Sequence, residues 1–143
     1  MAIAYISRTE HFSAAHRLHS NQLSDEDNKL IFGKCNGVNS HGHNYKIEVI
    51  VKGEIDPVTG MIINITDLKK WIKDEIVEEL DHKNLDKDVE YFQNITSTAE
   101  NIAVFIWTKL SPLIQANSNK AELYEIKLHE TDQNVVVFRG EGL

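Results

Sequence analysis

The stretch HNYKIEVIVKGE, residues 43–54, restricts the fold more than any other part of the chain. In an extended backbone Tyr45, Ile47, Val49 and Val51 point one way, while Asn44, Lys46, Glu48 and Lys52 point the other; Ile50 is the single exception. Such a strand belongs in an antiparallel sheet with one face covered. Residues 3–16 mix β-formers with polar residues, and Phe12, Ala14 and His16 share a face if extended. DPVTG at 56–60 reads as a turn, and MIINI at 61–65 as a short strand returning from it.

The period then changes. Thr66 reads as the cap of a helix over 67–80, in which Leu68, Ile72, Ile76 and Leu80 recur every four residues with Trp71 beside them. A polar loop, DHKNLDKD, follows. Ser97 and Glu100 form a Ser-x-x-Glu capping box for a second helix, with Ile102, Phe105, Ile106, Leu110 and Leu113 inward. Strands near 122–130 and 134–139 close the chain around a Thr-Asp-Gln-Asn turn. The expected order, β-β-β-α-α-β-β, is an α+β layer of two helices on an antiparallel sheet. Its two edges contain no internal proline and are suited to pairing with another subunit. The 143 residues fit one domain, 1–143.

Charge and composition exclude several classes of function. A net charge of −7 leaves no basic excess for broad nucleic-acid binding, though a small phosphorylated ligand needs only a few local cations. No run approaches the roughly 18 apolar residues of a membrane span, and the N-terminus lacks a signal-peptide core. A single cysteine suits a reducing compartment, so a cytoplasmic domain is expected, and the Asn-x-Thr triplets at Asn64 and Asn94 are chance matches.

That cysteine opens the segment CNGVNSHGH, residues 35–43. His41 and His43 are two apart, so on a strand their imidazoles converge on one side. Neutral imidazole is a common zinc ligand, and His16, on the face of Phe12 and Ala14, is the best-placed third. Three histidines leave an open, catalytic type of site; adding Cys35 closes it into a structural one, and spacing does not choose between them. Asp81-His82, just past the first helix, has the composition of a proton relay, or of polar decoration at a helix end. Glu130 ends the stripe Tyr124, Ile126, Leu128, where a carboxylate has either a partner and a task or simply solvent.

Together FSAAHRL, FGKCNGVNSHGHNY, GEIDPVTGMIIN, LDHKNLD, TSTAEN and LHETDQNVVVFRGE resemble 6-pyruvoyl-tetrahydropterin synthases, in the family's order and over nearly the whole chain. The resemblance implies the tunnelling fold (T-fold), an antiparallel sheet with two helices on its outer face. Three subunits join sheets into a barrel and two trimers stack into a homohexamer, with active sites between subunits. It implies a lyase that converts 7,8-dihydroneopterin triphosphate to 6-pyruvoyl-tetrahydropterin and releases triphosphate, in tetrahydrobiopterin biosynthesis. The cofactor implied is Zn2+ on His16, His41 and His43. Cys35 is then the general base, held off the metal where positive charge favours its thiolate, with Asp81 and His82 as relay. Glu130 anchors the pterin by a bidentate hydrogen bond. Thr98 and Glu100 match another pterin contact, although Ala99 stands where close relatives often carry a second threonine. Two other readings are a 6-carboxy-tetrahydropterin synthase of the queuosine pathway and a zinc-bearing oligomer that binds pterins without turnover. Relatives of the first typically have a shorter gap before His-Gly-His, and the second would break the catalytic set, which is intact here. Arg17, Lys34 and Arg139 are candidates for the triphosphate by charge alone.

Overall fold

The computed structural model describes residues 1–118 and 120–143. From the N-terminus the chain runs through β1 (Ile3–His16), α1 (Asp25–Phe32), a 3₁₀ turn at Gly33–Asn36 and β2 (His41–Glu54). Next come α2 (Ile65–Ile72) and α3 (Glu78–Leu80), joined by a π-turn at Lys73–Val77, then β3 (Lys83–Asn84) and α4 (Leu85–Asp88). A 3₁₀ turn at Glu90–Phe92 leads to α5 (Ala99–Asn117), β4 (Ala121–His129) and β5 (Val135–Phe138). The sheet order is β3-β1-β2-β4-β5, antiparallel except where β3 runs parallel to Ala14 and Ala15.

Alternation in β2 does what its pattern predicts: Tyr45, Ile47, Val49 and Val51 are all 0% exposed, beneath the helical layer. α5 covers β4 and β5, while α2 reaches β1. Leu68, Ile72, Ile76 and Leu80 are fully buried as well. Every-fourth positions drift round an α-helix of about 3.6 residues per turn. The wider π-turn between α2 and α3 takes up that drift and keeps all four on one face.

Several expectations are corrected. Residues 61–65 form no strand. Asp56 Oδ1 accepts from the Val58 and Thr59 N–H groups, and Asp56 N–H donates to Met61 O, so the turn closes on itself. Ile62 instead packs onto Gly53, where a Cβ would sit 2.5 Å from its side chain. Asn64, not Thr66, caps α2, its side chain accepting from Thr66 N–H at 2.9 Å. Thr98, not Ser97, caps α5 through the Asn101 N–H at 3.2 Å; Glu100 is exposed in the first turn, so the capping box is absent. Ile114 takes the buried position expected of Leu113. The supposed polar loop after the first helix holds β3 and α4, anchored by a fully buried Leu85. A bulge where Ile50 opposes Glu125 and Val51 opposes Leu123 turns Tyr124 to the outer face, against Tyr5 with ring centroids 4.8 Å apart. Glu130 therefore shares its stripe with Ile126 and Leu128 but not with Tyr124.

β3 pairs only with Ala14 and Ala15, so most of the outer edge of β1 has no strand partner among the described residues, and neither does the far edge of β5. Ile3, Tyr5 and Val137 are about half exposed there. Among the described residues no helix is long and apolar enough to cross a membrane.

Candidate functional site

The β1–β2 ladder runs unbroken from Ile3 opposite Glu54 to His16 opposite His41. That register places Ala14 opposite His43 and puts all three imidazoles on the helix-covered face, at the end of the stripe of Phe12 and Tyr45. Ring centroids are 4.7 Å apart for His16–His41, 5.0 Å for His41–His43 and 5.2 Å for His16–His43. One ring nitrogen from each lies within 4.8 Å of the others, a group that could hold a metal ion.

Burial favours the neutral form of two of these rings. Burial pushes the His16 pKa below its usual value, against the opposing pull of its hydrogen bond to Ser97, and burial also lowers His43. His16 Nδ1–H donates to the Ser97 carbonyl at 2.6 Å, which fixes the tautomer and frees the Nε2 lone pair. His16 Nε2 and His43 Nε2 are buried and have no hydrogen-bond partner. Glu130 oxygens stand 3.9 Å from the first and 4.0 Å from the second, beyond hydrogen-bond range. Buried acceptors without donors are costly alone and become ligands once a cation is present, so the donor set fits a metal with nitrogen preference.

Cys35 sits in the 3₁₀ turn, half-buried, and does not join the histidine group. Its segment is stitched to the end of β1: Leu18 N–H donates to Cys35 O at 2.9 Å, Arg17 Nε to Asn36 O at 2.9 Å and Asn36 Nδ2 to Leu18 O at 2.8 Å. The Cys35 segment is thus tied to the residues that follow His16, while the possible metal group consists of the three histidines.

Asp81 and His82 occupy the edge of β1. Asp81 Oδ1 accepts from Ser13 N–H at 2.8 Å and Oδ2 from His82 Nδ1–H at 2.7 Å; the first of these bonds chiefly lowers the Asp81 pKa. His82 N–H donates to Ser13 O at 2.7 Å, and its φ of 61° places a non-glycine residue in the left-handed region. The His82 side chain is 85% exposed. It borders a hollow of about 410 Å³ lined also by Ser13, Ala15, Gly42 and Asn44, whose parity puts them on the face away from the helices, and by Ala14 and His43 of the other face. His82 thus shares that hollow with one cluster histidine, His43, while its own side chain points mostly to solvent.

Thr98 is adjacent to Ser97, but its hydroxyl is used as the α5 cap, and Glu100 points to solvent. Arg17 lines a second cavity of about 360 Å³ with His19, Ser40, Asp86, Lys87 and Thr96. Arg139 lines neither hollow; its Nε donates to Glu125 at 2.9 Å and its guanidinium lies over Tyr124 on the outer face. Sequence reasoning missed Asp86, whose carboxylate accepts from Arg17 N–H and Ser97 Oγ–H, each at 2.6 Å, and so braces both segments beside His16. It also missed Ser97, which acts through its carbonyl and leaves no side-chain signal, and the Tyr45 hydroxyl. That phenol is buried without a partner, and its pKa is raised by burial and by the charges of Glu130 and Asp86.

The family model described as 6-pyruvoyl tetrahydropterin synthase matches residues 5–141. A Poecilia reticulata protein named 6-pyruvoyl tetrahydrobiopterin synthase is 58% identical over 97% of this chain and 92% of its own length. The Homo sapiens protein of that name is 54% identical over 96% of this chain and 92% of its own length. Among solved structures, that of Caenorhabditis elegans 6-pyruvoyl tetrahydropterin synthase is similar with a TM-score of 0.92 and 44% identity, covering 99% of this chain and 98% of that one.

Proposed function

The chain belongs to the 6-pyruvoyl tetrahydropterin synthase family, and from that premise we propose that it converts 7,8-dihydroneopterin triphosphate to 6-pyruvoyl-tetrahydropterin, with Zn2+ on His16, His41 and His43. The observation that carries this reading is the set of three converging imidazoles, two of them with orphaned nitrogens beside the Glu130 carboxylate. When bound there, zinc supplies a Lewis acid that acidifies a side-chain hydroxyl and the C–H beside it.

The remaining work falls to the chain. Glu130 accepts from the pterin amino group and ring N–H, and so holds the side chain toward the histidines. Cys35, as thiolate, takes the C–H proton; elimination of triphosphate and an internal redox shift leave two ketones and a reduced ring, so no external reductant is needed. The Thr98–Glu100 segment borders the pterin. Asp81 orients His82 through its 2.7 Å hydrogen bond, and His82 passes protons. Because that pair sits on the edge of β1 with the His82 side chain exposed, we assign it to the site of a neighbouring copy. The free edges of β1 and β5 support such sheet-to-sheet assembly, in a homohexamer of two stacked trimers. Residues 1–143 act as one domain, in the cytoplasm, where a lone thiol stays reduced.

Incubation with 7,8-dihydroneopterin triphosphate, followed by mass identification of the product, tests the reading. 6-Pyruvoyl-tetrahydropterin is expected. A 6-carboxy product would move the chain to the queuosine-pathway chemistry, and an unchanged substrate would leave only pterin binding.

A further inference from the structure

Three buried side-chain polar atoms among the described residues have no hydrogen-bond partner: His16 Nε2, His43 Nε2 and the Tyr45 hydroxyl. They are neighbours. The Tyr45 ring lies 5.6 Å from His43 and 6.2 Å from His16, edge-on to both, and on the same face of the sheet. It is stacked on Phe12, its cross-strand partner, at 4.8 Å, and is 0% exposed. A ring needed only for packing would serve better as phenylalanine, because an unsatisfied buried hydroxyl destabilises the fold. Two orphaned lone pairs call for a cation. An orphaned O–H, which is a donor, calls for an oxygen acceptor in the same place.

We propose that the Tyr45 hydroxyl is a further substrate-contacting residue, donating a hydrogen bond to an oxygen of the hydroxylated side chain of the pterin. This rests on the pterin reading above. When the thiolate of Cys35 removes the neighbouring proton, the C–H electron pair forms a carbon–carbon double bond to the ring. The ring C=N pair moves onto the ring nitrogen, which takes up a proton, and the side-chain oxygen held by Tyr45 keeps its bond to carbon. Tyr45 keeps its own proton throughout. Stacking on Phe12 and complete burial hold the donor in place beforehand, so it fixes the hydroxylated side chain in the reacting geometry without reorganising.

The test is Tyr45→Phe, which keeps the ring and removes one oxygen. Two probes separate the roles: 7,8-dihydroneopterin, which carries the hydroxylated side chain, and 7,8-dihydropterin, which lacks it. The variant is expected to bind the first about tenfold more weakly and the second unchanged, on the zinc-loaded protein. Metal-free Tyr45→Phe is expected to melt no lower than the metal-free wild type, since an orphan group is gone. Turnover of the triphosphate substrate should fall by roughly 10²-fold, because the side chain is no longer held in position. Equal affinity of both proteins for dihydroneopterin, equal weakening of both pterins, or a lower melting temperature of the metal-free variant would each overturn the proposal. If the wild type binds neither pterin, the pterin reading itself fails, a result distinct from any of these.

Discussion

His16 and the Asp81–His82 pair attach to the same short segment of β1, yet His16 is 0% exposed and the His82 side chain 85%. The histidine cluster lies on the helix-covered face, with burial lowering the pKa of His16 and His43, and is completed within one chain by the β1–β2 register. The pair sits at a bare sheet edge, with His82 left-handed and tied to Ser13 through its backbone. Such a conformation persists only where its surroundings over-determine it, and here two hydrogen bonds to Ser13 do so. On the proposed function the contrast separates two tasks. A metal centre needs desolvated, fixed lone pairs, and the interior of one chain supplies them. A proton relay needs a group presented outward, ready for another copy.

The sharpest way to break the contrast is His41→Ala. It should lose the metal, from about one ion per chain to near none, and with it the activity; full metal retention by elemental analysis would remove His41 from the ligands. Cys35→Ala should keep its metal and fold while turnover drops by roughly 10²–10⁴-fold, the range of positioned acid–base catalysis. Metal loss in that variant would make Cys35 a ligand and the centre closed. Glu130→Gln exchanges an acceptor for a donor facing the pterin N–H, a mismatch of roughly 1–3 kcal/mol, so pterin affinity should weaken about tenfold or more. Unchanged affinity would mean that the carboxylate serves the histidines alone.

The smallest effect concerns pH in the metal-free protein. Burial lowers the His16 and His43 pKa values below the roughly 6.5 of an unfolded chain. Between those lowered values and about 6.5 the unfolded state binds more protons. The stability from neutral histidines is therefore full above about 6.5 and is lost as pH falls through that window. Melting temperatures should drop on acidification from about pH 7.5 to about pH 5.5. A rise would contradict buried, neutral imidazoles.

Much of the cluster was legible because a strand has a strict period of two. Parity alone put His41 with His43 and His16 with Phe12 and Ala14, and the ladder then joined the two sets. Parity failed at Tyr124, because a bulge adds one residue that no local pattern announces. It also misled at 61–65, where Ile62 and Ile63 are apolar to cover Gly53 and the core, not to continue a ladder. The caps were displaced because Asn64 and Thr98 stand beside equally suitable neighbours, and the geometry of the entering chain decides among them. The role of Asp86 depends on bringing Arg17 and Ser97 together across the fold, which no spacing encodes. Exposure of His82 was equally hidden, since an Asp-His pair reads the same on either face.

Complementation between two inactive variants tests the division of labour most directly. His41→Ala lacks the metal centre but keeps the relay, and Asp81→Asn keeps the centre but lacks an oriented His82. Co-expression should yield mixed oligomers that regain part of the wild-type turnover, because some sites then pair an intact cluster from one chain with an intact relay from another. Mixed oligomers with no activity above that of either parent would contradict a relay supplied by a neighbouring copy.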